Sequence, residues 1–169
     1  MTSKADFTTD EWNEVLQGAF VSGLAITAAE PSGLFGSIKE AFASASALAK
    51  AKSAPTSNEL INSVVASLTN RDEAAGAREG IKTLFSRAKN PSDVKTRAIS
   101  ALARLTALLD RKAPSEAQPF KEWLLGISQS VAEASSEGGF LGFGGVQVSE
   151  AEKATLAEIA TALGTSVHA

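Results

Sequence analysis

Cysteine is missing from the chain, and so is tyrosine. The first absence excludes disulfides, thiolate metal sites and a cysteine nucleophile. Histidine is nearly missing: His168 stands alone, one residue from the C-terminal end, and reads as part of a frayed tail. Without a second histidine there is no zinc-spaced pair, and no Ser-His-Asp triad unless that tail supplies it. Aromatic residues make up only 6% of the chain and do not interleave with basic ones, so specific nucleic-acid recognition is not expected. No apolar run is long enough to span a bilayer, and the opening Met1-Thr2-Ser3-Lys4-Ala5-Asp6 leads to no signal core. The expected location is therefore cytoplasmic. What the chain does have is abundant alanine and frequent glycine, which suits helices packed closely over small residues. Its 169 residues suffice for one domain with a real core.

Helical periodicity dominates, and no segment alternates like a half-buried strand. Thr8 and Glu11 have capping-box spacing ahead of a helix over 9–29, with Trp12, Leu16, Ala19, Phe20 and Gly23 as its apolar stripe. Pro31 stops it. Ser37 and Glu40 open a second helix over 37–52, carrying Ile38, Phe42, Ala45 and Leu48. Thr56 and Glu59 cap a third, with Leu60, Ile61, Val64, Val65 and Leu68 inward. Asn70 opens a fourth, which turns Ala77, Ile81, Leu84, Phe85 and Ala88 inward. Asn90-Pro91 starts a fifth, a capping Asn followed by Pro at the first helical position. Pro114 and Pro119 bracket the start of a sixth, striped by Phe120, Trp123, Leu124, Ile127, Val131 and Ala134. Ser149 and Glu152 cap the last, which buries Leu156, Ile159, Ala160 and Leu163 and stops at Gly164. Trp12 and Trp123 lie on apolar stripes and read as core anchors. The expectation is an all-α, compact single-domain bundle of about seven helices over 1–169, with short connections and frayed tails at 1–7 and 165–169.

A weak internal repeat accompanies this pattern. Placing Gly33-Leu-Phe-Gly36 on Gly139-Phe-Leu-Gly142 brings Val21, Ala25 and Ala28 onto Ile127, Val131 and Ala134. Each half then reads as helix, acidic end, glycine loop, helix.

Charge is unevenly spread. From Arg78 to Lys112 nine basic residues face three acidic ones, a balance of +6 that leaves −9 for the rest of a chain whose net charge is −3. The middle can meet an anionic membrane or protein surface, or it can be matched within the molecule by the acidic ends.

The acids at the second glycine join divide by position. Glu150 and Glu152 open the last helix, where negative charge is stabilising, and Glu152 also caps. Glu133 and Glu137 are four apart near a helix C-terminus, where the dipole and their mutual repulsion are both unfavourable. A solvated pair is one reading. The other is a divalent cation, Ca²⁺ or Mg²⁺, held by these carboxylates with carbonyls of the glycine loop. Glu30, beside Pro31 and Gly33, stands equally between turn residue and site carboxylate. The loop over 138–145 lacks the Lys-Ser/Thr ending of a P-loop and follows a helix, so it is no phosphate cradle. Its Phe140, Leu141 and Phe143 are expected to tuck inward.

Ala134-Ser-Ser-Glu137-Gly138, then Val148-Ser149-Glu150-Ala-Glu152 followed by Leu156 and Ile159, carry a resemblance, with Glu30 and Gly33 as a looser echo. Together these joins resemble the TerB-like family of small all-helical proteins associated with tellurite resistance and stress response. The resemblance implies a non-enzymatic module that binds a divalent cation through clustered acids and acts with a protein partner at the cytoplasmic membrane face. The residues it carries over are Glu30, Glu133, Glu137, Glu150 and Glu152. An adaptor using the basic 78–112 stretch is the alternative, and an enzyme with paired carboxylates ranks last, since no catalytic signature stands out.

Overall fold

Between Gly18 and Ile26 no residue of the first helix reaches solvent. That part of α1 (Thr9–Thr27) is buried on every side, and the helix touches each of the other five described helices. The computed structural model describes Thr2 and residues 4–29, 56–137 and 148–166, with side chains through 133 in the second long stretch. The predicted helix over 37–52, Glu30, the glycine loop and His168 lie outside them.

Around α1 stand α2 (Glu59–Thr69), α3 (Arg71–Phe85), α4 (Pro91–Lys112), α5 (Pro114–Glu137) and α6 (Glu150–Leu163). The chain is an all-α, compact single-domain bundle, with six α-helices among the described residues. α2 packs on α3 and α5, α6 packs on α4 and α5, and α4 and α5 pack on each other. α3 and α4 follow one another in sequence but scarcely meet, because both lean on α1. No described helix is long and apolar enough to cross a membrane.

Most predicted stripe positions among the described residues lie in the core, while Val65, Leu84, Ala88 and Val131 are partly buried and pack against it. Leu16, Leu60, Val64, Ala98, Leu102, Leu109, Phe120, Leu124, Ile127, Ile159 and Leu163 are fully enclosed. Each fully buried large apolar side chain contributes roughly 1.5–3 kcal/mol relative to exposure. Small residues let the backbones close in. A β-carbon at Gly18 would lie 2.5 Å from Leu105 Cδ2, so α1, α4 and α5 meet over a bare α-carbon.

The ends of the helices follow local chemistry. Thr8 and Ser149 form complete capping boxes with Glu11 and Glu152. Asn70 and Asn90 accept backbone N–H groups of α3 and α4, and Gly164 closes α6 in the left-handed region at φ 64°. Two expectations shift. The cap of α2 is Asn58, not Thr56: its Oδ1 accepts Ile61 N–H at 3.0 Å, while its Nδ2 donates to the Glu116 carbonyl at 3.1 Å. An amide has both a donor and an acceptor, so one residue caps α2 and ties it to α5. Pro119 lies inside α5, which already begins at Pro114. Pro119 falls only in the second turn, so the helix forgoes one early backbone bond.

Ahead of α1 the chain is tied down. Thr2 N–H donates to both Glu116 carboxylate oxygens at 2.9 and 2.8 Å, and Phe7 packs against Trp12 with ring centroids 5.7 Å apart. Deeper in, Ser128 Oγ of α5 donates to the Ser22 carbonyl of α1 at 3.1 Å, a polar clasp between two fully buried residues.

Candidate functional site

The acids at the start of α6 are occupied by the fold. Glu152 is buried, and its carboxylate accepts Ser149 N–H at 2.9 Å while Ser149 Oγ accepts Glu152 N–H at 3.1 Å. Glu150 is exposed and meets Lys153 Nζ at 2.8 Å, one turn along. Both arrangements also place negative charge on the positive end of the helix dipole. Capping therefore accounts for this pair.

The acids at the end of α5 stand differently. The helix runs unbroken through Glu137, so Glu133 and Glu137 lie one turn apart at its C-terminal end, where no basic residue occurs. Glu133 is exposed. The side chain of Glu137 and the whole of Glu30 fall outside the described residues. Among the described residues no three His, Asp or Glu side chains gather in a way that would hold a metal ion.

The basic stretch divides as well. Four of its residues, all on α4, reach acids of α1 and α6. Lys95 meets Glu158 at 2.9 Å, Arg104 meets Glu14 at 3.8 Å, and Arg111 and Lys112 meet Glu11 at 3.3 and 3.2 Å. Lys82 pairs with Glu79 on its own helix at 3.2 Å. The four α4 contacts use acids from the ends of the chain to match the basic middle. Arg97 turns back to the Leu84 carbonyl at 3.5 Å. Arg87 and Lys89 are exposed in the turn between α3 and α4, and neither side chain has a partner among the described residues. The nearby Asp93 carboxylate is engaged by Lys89 N–H at 2.9 Å.

Two carboxylates are held below the usual carboxylate range. Glu11 owes this first to Thr8 N–H at 2.9 Å and then to Lys112. Glu73 owes it first to the Ser67 hydroxyl at 2.6 Å and then to Lys4, at 2.9 Å. Both are thus fixed as anions by the fold.

Sequence periodicity placed Trp12 and Trp123 in the core, and both are buried. It gave no sign that each indole N–H would lack a hydrogen-bond partner among the described residues. A buried donor without a partner costs about 1–3 kcal/mol. Nor could spacing show that Arg87 and Lys89 are the cations left over once α4 has paired, because the paired acids lie up to 101 residues away. Set against family models, curated proteins and solved structures, the chain matches none of them.

Proposed function

We propose that this protein is a non-enzymatic helical adaptor that engages an anionic partner surface through the turn between α3 and α4. The observation that supports this reading is the uneven fate of the basic stretch. Lys82, Lys95, Arg104, Arg111 and Lys112 are matched by carboxylates of the same chain, whereas Arg87 and Lys89 project from one exposed turn without an ion pair among the described residues. Exposed cations on a short turn attract an anionic surface at long range and are screened by salt. The test is co-sedimentation with phosphatidylserine-containing vesicles at low ionic strength. Binding should fall steeply as salt is added and should be lost in Arg87→Ala/Lys89→Ala. Retention of binding in the double variant would overturn the proposal.

A second reading follows the TerB-like resemblance: a divalent cation at the C-terminal end of α5, serving a partner-binding role in stress response at the cytoplasmic membrane face. The continuation of α5 through Glu137 favours it, because it puts Glu133 and Glu137 one helical turn apart in sequence at the negative end of a helix dipole. A bound cation would reverse both penalties. Thermal unfolding followed during Ca²⁺ and Mg²⁺ titration tests this. Ligand at a hundred times its dissociation constant stabilises by roughly 2.7 kcal/mol, and Glu137→Gln should reduce the gain. No stabilisation at millimolar metal would remove this reading and leave the adaptor standing.

A further inference from the structure

The outer face of α3 is charged in rows. Ala74, Ala77, Ile81 and Phe85 turn inward, which leaves the exposed side of the helix to polar residues and Ala75. Arg71, Arg78 and Lys82 follow one another at intervals of seven and four residues. At about 100° per residue these three fall within a sector of about 40°, in a row about 16 Å long. All three are exposed, and Arg87 and Lys89 stand just beyond the C-terminal end of the helix that carries them. Asp72 and Glu79, also seven apart, form a second row about 80–100° round the helix from Arg71.

The helix itself does not account for Arg71. It occupies the first position of α3, where the dipole disfavours positive charge, and no ion pair holds it among the described residues. Lys82 meets Glu79 at 3.2 Å, but the two side chains are 73% and 72% exposed. So open a pair contributes little to stability and exchanges readily for another carboxylate. The cations of α4 differ, because they reach across to acids on other helices.

We propose that the anionic partner of the basic turn is an acidic helical segment of another protein, docked lengthwise along this row. This rests on the adaptor reading and specifies its partner. A helix with Asp or Glu at positions i, i+7 and i+11 repeats the spacing of Arg71, Arg78 and Lys82, and its end reaches Arg87 and Lys89. A flat anionic surface laid on the outer face of α3 would meet both rows, and Asp72 and Glu79 would repel it. A rod one residue wide engages the cations and leaves the acids to solvent, so charge complementarity selects the rod.

The test uses the full chain and a fluorescein-labelled alanine-based helical peptide with glutamate at i, i+7 and i+11, read by anisotropy at low ionic strength. Phosphatidylserine vesicles serve as the flat probe. The peptide should bind, and its affinity should fall as salt is added. Arg71→Gln/Arg78→Gln/Lys82→Gln should weaken peptide binding about eight-fold, about two-fold for each exposed pair, and leave vesicle binding as it is. Glutamine has nearly the helix propensity of Arg and Lys, and thermal unfolding checks the fold. No peptide binding, an unchanged affinity in the triple variant, or an equal loss of vesicle binding there would each overturn the proposal. So would equal binding of a peptide with lysine in place of glutamate, a comparison made on the unaltered protein that decides even if the variant does not fold. Arg87→Ala/Lys89→Ala separates the two claims. Vesicle binding retained in that variant removes the adaptor reading and this partner with it. Vesicle binding lost there, with peptide affinity unchanged in the triple variant, removes the row alone.

Discussion

Gly18 and Gly80 both sit where a β-carbon meets another side chain, yet they should answer alanine differently. At Gly18 the new carbon would press on Leu105 and Leu124, which are 1% and 0% exposed. Overpacking of this kind costs about 1–3 kcal/mol, against a gain of about 1 kcal/mol from better helix propensity. Gly18→Ala should therefore lower the urea midpoint, by about 1 kcal/mol of stability. At Gly80 the obstacle is the Gln17 amide, the far end of a flexible, half-buried side chain. It can swing aside, so Gly80→Ala should leave the midpoint unchanged or raise it slightly. The carboxylates of Glu11 and Glu73 set the acid response. Their folded pKa values lie below the ordinary one, so their contribution is complete above the usual carboxylate range and is lost as pH falls through the folded values. Urea stability should be level from neutral pH down to that range and then decline, and Glu73→Gln should flatten the decline.

For the helices, the informative positions are the ends. Asn90 accepts Asp93 N–H at 2.9 Å ahead of Pro91, and Asn90→Ala should cost about 1 kcal/mol in denaturant unfolding. Glu152 offers a sharper test of role. A glutamine keeps a capping box intact but gives a divalent ion no charge. Glu152→Gln should thus lose only the charge–dipole contribution, about 0.3–1 kcal/mol, while Ser149→Ala loses about 1 kcal/mol. A strong loss in Glu152→Gln, measured by thermal unfolding, would return this residue to the candidate metal ligands. The capping signals at Thr8, Asn70, Asn90, Ser149 and Gly164 were legible because each acts over three or four residues of contiguous chain. Asn58 was not. Thr56 had the better spacing to Glu59, but only Asn58 can cap α2 and also reach the Glu116 carbonyl, 58 residues distant.

Across the whole molecule, charge is matched between distant parts of the chain, with α4 supplying cations to acids on α1 and α6. These pairs are largely exposed, and such bridges are worth about 0–1 kcal/mol each. Arg111→Ala should therefore change unfolding stability by no more than about 0.5 kcal/mol. The same substitution removes a charge but lies outside the unpaired turn, so it serves as the control for Arg87→Ala/Lys89→Ala in vesicle binding. The central place of α1 was half visible. Its stripe of Trp12, Leu16, Ala19, Phe20 and Gly23 marked one inward face, whereas every residue from Gly18 to Ile26, Ser22 included, is buried because five helices surround it.

By itself the sequence determined the six described helices, most of their inward faces and most of their ends, because periodicity and capping are set within a few residues. It also located the acids and bases that any function must use. Only the tertiary structure decided which of these charges are spent on the fold. Pairing depends on which helices lie side by side, and that is fixed by packing around α1. The same packing buried Trp12 with no acceptor for its indole N–H among the described residues, a consequence of long-range contact that no local spacing encodes.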